Sequence, residues 1–173
     1  MGKSLLFYEI IGIFFILLVG SMLHFTFELS GNNKIVAAFS AVNESVWEHL
    51  KMGFWPAVLY AGIEYRKFKS ANNFLFAKFI GIYMIPISIV VLFYSYTAFT
   101  EHNLVMDILI FVFAVIIGQT ASYKLLKARN VPKWFGTLSL IALISLGIAF
   151  VVMTFYTPQL KIFMDPISGK YGI

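Results

Sequence analysis

The sequence predicts an all-α integral membrane protein, a helical bundle of about five transmembrane helices with a short amphipathic segment before the second. Three observations carry this. Of 173 residues, 60% are hydrophobic and only 12% are charged, and the mean hydropathy is +0.86. A soluble domain carries roughly 25% charged residues, so an ordinary cytosolic enzyme and a disordered chain are both excluded. The apolar residues fall into runs of about 20, the length that crosses a hydrocarbon core of about 30 Å. The cations gather in alternate connections between those runs. Residues 1–173 read as a single transmembrane domain with no internal repeat.

The first span, 5–29, is interrupted only by Glu9, His24 and Glu28. Lys3 before an apolar run resembles a signal peptide. The run is too long for that and lacks a small-x-small cleavage site, so it reads as a retained span. Residues 40–50 read as a short amphipathic helix, interfacial or folded into the membrane. Val42, Val46, Trp47 and Leu50 share one face, and Glu44, Glu48 and Lys51 another, with Ser40 as N-cap. This leads into the second span, 50–66, which Pro56 should kink by removing a backbone hydrogen bond. The third span is 74–99, with Pro86 near its middle, and the fourth is 104–126. The fifth, 134–157, ends at Pro158, and the tail 158–173 reads as irregular.

The net charge of +5 would raise nucleic acid as a partner of a soluble domain. Here no helix face collects the Lys and Arg, so no nucleic-acid partner is expected, and membrane topology accounts for them. Arg66, Lys67 and Lys69 lie between spans two and three, with Lys78 just after; Lys124, Lys127, Arg129 and Lys133 lie between four and five. Glu101 and His102, between three and four, have no cation beside them. The positive-inside rule then gives a multi-pass plasma-membrane protein, N-terminus cytoplasmic and C-terminal tail extracytoplasmic. With no Cys, there is no disulfide, thiolate metal site or Cys nucleophile.

Ionisable side chains in spans are costly and are functional candidates by default. At the helical rise, His24 lies roughly 31 Å beyond Lys3, His49 roughly 25 Å before Arg66, and His102 and Asp107 roughly 33 and 25 Å before Lys124. The three histidines therefore share one level, the outer interface, with Glu28, Glu44, Glu48 and Glu101 at or just above it. Stripes of small and polar residues lead to this layer, such as Gly81, Ser88 and Ser95 below His102. Such stripes face other helices rather than lipid. The plainer account is that interface-level polar groups are simply wet and small stripes are packing.

The sharper account is one polar site at the extracytoplasmic face. Its candidate catalytic residues are His24, Glu28, Asn43, Glu44, Glu48 and His49. A metal set would draw on His24, His49, His102 and Asp107, imidazoles and carboxylate of the kind that hold Zn or another divalent metal with a position open for water. The same groups can do acid–base work without metal. Glu44 and Glu48, at i,i+4 on a helix, repel each other and need Lys51, a histidine or a cation nearby. Glu64 is expected in a surface ion pair with Arg66 or Lys67. Glu9 is deeper and needs a partner such as Gln119 or Lys124.

The run Asn43-Glu44-Ser45-Val46-Trp47-Glu48-His49-Leu50-Lys51, followed by Phe54, Pro56 and Glu64-Tyr65, resembles the signature of a family of small bacterial integral membrane proteins of unknown function. The resemblance covers the first two spans and implies a polytopic membrane protein with its polar residues there. It brings no activity with it. Two classes of function follow from the residues. The first is a hydrolase or group transferase acting on a lipid or lipid-linked substrate, with membrane lipids as surroundings. The second is a small-solute or ion transporter, which needs a path to the inner face, usually through broken helices. A non-catalytic accessory protein is the third alternative.

Overall fold

The computed structural model describes residues 2–128 and 131–173. Arg129, one of the cations used above for orientation, lies outside them. The helices are α1 (Gly2–Leu29), α2 (Lys34–Ala37), α3 (Val46–Phe68), α4 (Phe74–Thr97), α5 (Leu104–Lys127) and α6 (Lys133–Phe155), followed by a 3₁₀ turn at Lys161–Phe163. Among the described residues there is no strand, only an isolated bridge between Met164 and Tyr171.

Four helices, α1, α4, α5 and α6, are long and apolar enough to cross a membrane. Their outward faces are apolar: Phe7, Phe14, Leu18 and Phe25 on α1, and Leu138, Ile141, Ile144 and Ile148 on α6, are all exposed. Stripes of that kind face lipid rather than water. The fifth long helix, α3, is not among the four, because it carries Glu48, Lys51 and Glu64. It packs against α1, α4, α6 and the 3₁₀ turn. Its polar groups are buried against protein, so it need not be as apolar as its neighbours.

Close approach of backbones builds the bundle. A Cβ on Gly81 of α4 would stand 2.8 Å from the Gly118 carbonyl of α5, and one on Gly118 would stand 2.5 Å from the Gly81 carbonyl. Only glycine at both positions lets these helices touch. At Gly20 of α1 a Cβ would lie 2.5 Å from the Met52 carbonyl. Met52 precedes Pro56 by four residues, and proline has no N–H to return to it. The carbonyl released by Pro56 is thus the one that α1 covers. α3 nonetheless runs unbroken through Pro56.

The segment before α3 differs from the amphipathic helix expected over 40–50. Residues 40–45 are not helical, and α3 begins at Val46. Ser45, not Ser40, is its N-cap, with Oγ accepting from the Glu48 N–H at 3.4 Å. Asn43 Oδ1 accepts from the Ser45 N–H at 2.9 Å, turning the chain into the cap. Ser40 instead ties the segment to α1, accepting from Thr26 Oγ1 at 2.9 Å and donating to the Leu23 carbonyl. The tail is more ordered than expected. Asn43 Nδ2 donates to the Gly172 carbonyl at 2.9 Å, and Trp47 packs on Phe150 and Phe163.

One buried ion pair stitches these pieces together. Lys51 Nζ lies 2.5 Å from Glu48 Oε2, with side chains 0% and 3% exposed. Lys51 also donates to the Ala37 carbonyl at 2.8 Å and to Thr154 Oγ1 of α6 at 2.9 Å. Glu48 accepts from the Val42 N–H at 3.1 Å and from Thr154 at 2.9 Å. Removing one partner of such a pair leaves an uncompensated buried charge, which costs about 3–5 kcal/mol. Lys51→Met is therefore expected to lower the thermal midpoint of the purified protein sharply, and adding Glu48→Leu should restore much of it. An unchanged midpoint in Lys51→Met would contradict the burial of this pair.

Candidate functional site

α1 runs away from the basic end of the bundle, α3 runs back toward it, and the connection between them, α2 and the non-helical residues 38–45, crosses the opposite end. His24 stands near the end of α1, His49 in the first turn of α3, and Glu44 on the crossing segment. Three residues from three elements meet there. His49 Nε2 is 3.3 Å from His24 Nε2 and 3.4 Å from Glu44 Oε2, and His24 Nε2 is 3.6 Å from Glu44 Oε1. One ligand-competent atom from each residue lies within 4.8 Å of the others.

The geometry fits a metal. Bonds of about 2.0–2.1 Å in a tetrahedral zinc site put the ligand atoms roughly 3.3–3.4 Å apart, close to the 3.3, 3.4 and 3.6 Å found here. The two distances to Glu44 end on different oxygens, so a bound ion would select one by rotating the carboxylate. His49 is also oriented as a ligand. Its Nδ1 lies 2.8 Å from the Ser45 carbonyl. A carbonyl only accepts, so Nδ1 carries the hydrogen and Nε2 is left to face the cluster. Ser45 thereby serves twice, capping α3 with its side chain and fixing the tautomer with its backbone. The side chains are 30%, 26% and 42% exposed for His24, His49 and Glu44, so the cluster is open to solvent on one side.

Glu44 is held below the usual carboxylate range, chiefly because the His49 ring hydrogen-bonds its carboxylate; burial opposes this, and the charges of His49, His24 and His102 reinforce it. A depressed folded value contributes stability above the ordinary carboxylate range, and that contribution is lost as pH falls through the lowered value. Around neutrality Glu44 is an anion beside two histidines; in the metal-free cluster His49 Nε2 holds a proton toward it, and a metal would bind there by displacing that proton.

The other sequence-derived candidates go elsewhere. Glu48 faces into the bundle and is consumed by Lys51 and Thr154. Asn43 spends its side chain on the turn before Ser45 and on the Gly172 carbonyl. Glu28 is exposed. His102 and Asp107 pair with each other, Nε2 to Oδ2 at 2.6 Å, and Tyr96 donates to Asp107 Oδ1 at 2.6 Å. They are at the same end of the bundle as the cluster, but not among its three ligand atoms.

Two further expectations change at the basic end. Glu64 is not at the surface with Arg66 or Lys67. It is 1% exposed, and its Oε2 is 2.5 Å from Lys78 Nζ. Glu9 meets the same Lys78 at 2.8 Å and accepts from Ser122 Oγ at 2.9 Å; Gln119 reaches only its backbone carbonyl, at 3.3 Å. Lys78 thus belongs to this buried cluster and not to the basic loop before α4. A sequence signal did place it inside: it lies one turn before Gly81, on the small-residue stripe of α4.

An all-helical bundle with four helices fit to cross a membrane, bearing an imidazole–carboxylate cluster at one end, has the architecture of a multi-pass membrane protein. The chain belongs to the family of unknown function DUF6512, which matches residues 3–173. No curated protein and no solved structure matches it.

Proposed function

We propose that the protein is a bacterial plasma-membrane enzyme, a metal-dependent hydrolase or group transferase acting on a lipid or lipid-linked substrate at the extracytoplasmic face. The single observation that supports this most is the His24–Glu44–His49 triangle, with tetrahedral edge lengths and one open side. Two imidazoles, one carboxylate and a vacant position are the donor set of hydrolytic zinc sites. Zinc held there would lower the pKa of a bound water toward neutrality and polarise a carbonyl or phosphoryl oxygen. His24 and His49 supply neutral nitrogen ligands, Glu44 supplies charge, and the Ser45 carbonyl keeps His49 aimed. The His102–Asp107 pair stands at the same end, where its imidazole can shuttle a proton to a leaving group.

The substrate class follows from position. The cluster sits at the end of a bundle whose outer faces are apolar, at the level where lipid headgroups lie. In this reading α3 is the fifth span and the basic end is cytoplasmic, since Lys67, Lys69, Lys124 and Lys127 gather there. A cysteine introduced at Glu101 or Gly169 is expected to react with an impermeant reagent in intact cells, and one at Ala128 is not. Labelling at 128 alone would reverse the orientation.

The enzyme reading is tested with purified protein in nanodiscs. About one zinc per chain is expected to bind. Affinity should fall as the medium is acidified, because protons compete for the imidazoles. His24→Ala and His49→Ala should each abolish stoichiometric binding, and Glu44→Gln should weaken it by at least about tenfold. Turnover of a panel of lipid phosphate and ester substrates should vanish in the same variants while thermal midpoints stay nearly constant. Binding without turnover of any member would favour a transporter. The observation on the side of that reading is the Glu9–Glu64–Lys78 cluster at the other end of the bundle. Absence of metal binding would remove the metal-dependent form.

A further inference from the structure

A second buried polar cluster lies roughly 22 Å from the first along α1, counted from His24 back to Glu9 at the helical rise. Its charges do not balance. Glu9 of α1 and Glu64 of α3 are 2% and 1% exposed, and Lys78 of α4, at 3%, is among the described residues the one cation in contact with both. Tyr60 of α3 spends its hydroxyl hydrogen on the Tyr8 carbonyl at 2.6 Å. From α5 come neutral Ser122, which donates to Glu9 Oε1 at 2.9 Å, and Gln119, which reaches the Glu9 carbonyl. Lys124 of α5 is exposed. Two ionised carboxylates against one ammonium would leave a net negative charge in an apolar bundle, at a cost of several kcal/mol.

The hydrogen bonds point the same way. Glu9 Oε2 and both Glu64 carboxylate oxygens are buried without a hydrogen-bond partner, Glu64 Oε2 meeting Lys78 only as an ion-pair contact. The Glu48–Lys51 pair is the internal contrast. There one carboxylate faces one ammonium, and both carboxylate oxygens accept hydrogen bonds. Buried polar atoms are normally satisfied, so these three orphaned oxygens mark the place of a missing hydrogen.

We propose that Glu9, Glu64 and Lys78 form a proton-binding site that holds one proton between its two carboxyl groups at neutral pH. Glu64 carries it. Glu9 is the better-satisfied carboxylate, accepting from both Lys78 and Ser122. Glu64 has Lys78 as its one ion-pair contact among the described residues and no hydrogen-bond donor, and its carboxyl group takes the proton. A metal cation is the poorer occupant, because it would lie beside the Lys78 ammonium and need several ligands. A proton neutralises the excess charge and needs none. The cluster lies toward the basic end of the bundle, one turn or less from Arg66 and Lys67 on α3. A pocket of about 250 Å³ opens there between Ser4, Lys67, Phe68, Ser70 and Ala71. Leu5 and Phe68, each one turn from Glu9 and Glu64, pack together beneath it and close the cluster off. The site stands whether the opposite end hydrolyses a lipid or moves a solute.

Infrared difference spectroscopy on the full chain in nanodiscs tests this, through the C=O stretch of a protonated carboxyl. At neutral pH the wild type is expected to show one such group per chain, shifted when the protein is made with carbon-13 glutamate and lost as pH is raised. Glu64→Gln should remove the band. Glu9→Gln should also remove it, since the remaining carboxylate then balances Lys78. Glu101→Gln, at an exposed loop position, should leave it intact. Absence of a glutamate-dependent band in the wild type at neutral pH would overturn the proposal, and this needs no variant to fold. So would a band that persists in both Glu64→Gln and Glu9→Gln.

Discussion

The ion pair between Glu48 and Lys51 governs the geometry of one whole end of the molecule. An ammonium and a carboxylate placed in an apolar bundle must find each other and fill their remaining hydrogen-bond positions. Here the partners available are the Ala37 carbonyl, the Val42 N–H and Thr154. Meeting that demand draws residues 37–42 down onto α3 and α6. The chain then has only three residues to reach the start of α3, and Glu44, the middle one, is left over the gap between His24 and His49. The carboxylate that is buried positions the carboxylate that is exposed.

The same demand explains why α3 is central yet the least apolar of the long helices. It is the element to which the others bring their polar groups: Thr154 from α6 to Glu48, and Lys78 from α4 to Glu64. Lipid-facing helices cannot carry such residues cheaply. The polar load is concentrated on the helix with protein around it. Glycines 20, 81 and 118 then let neighbouring backbones approach closely enough for those contacts to form. One end of α3 holds a balanced pair, which fixes shape. The other holds an unbalanced triad, whose missing charge is the basis for assigning it a proton.

Much of this was legible in the sequence as depth and little as direction. Rise per residue placed His24, His49 and His102 at one level. Whether side chains at one level meet depends on helix rotation and loop path, which a single sequence does not carry. His24 and His49 face each other, while His102 turns to Asp107 in the first turn of α5. Glu44 and Glu48 look like partners four residues apart, but that spacing has meaning only on a continuous helix. Ser45 starts the helix between them and sends the two carboxylates to different places. Lys78 read as a loop cation because it follows the Lys67–Lys69 run. Its place on the α4 stripe, one turn before Gly81, was the better guide, and it explains why Glu64 is buried beside it rather than paired at the surface.

The central claim is that His24, Glu44 and His49 form one metal centre. Zinc X-ray absorption on the purified, zinc-loaded protein tests it most directly. The account predicts a four-coordinate shell of nitrogen and oxygen at about 2.0–2.1 Å, with the outer-shell scattering of two imidazoles, reduced to one by His24→Ala. A shell without imidazole scattering, or one unchanged by that substitution, would contradict it.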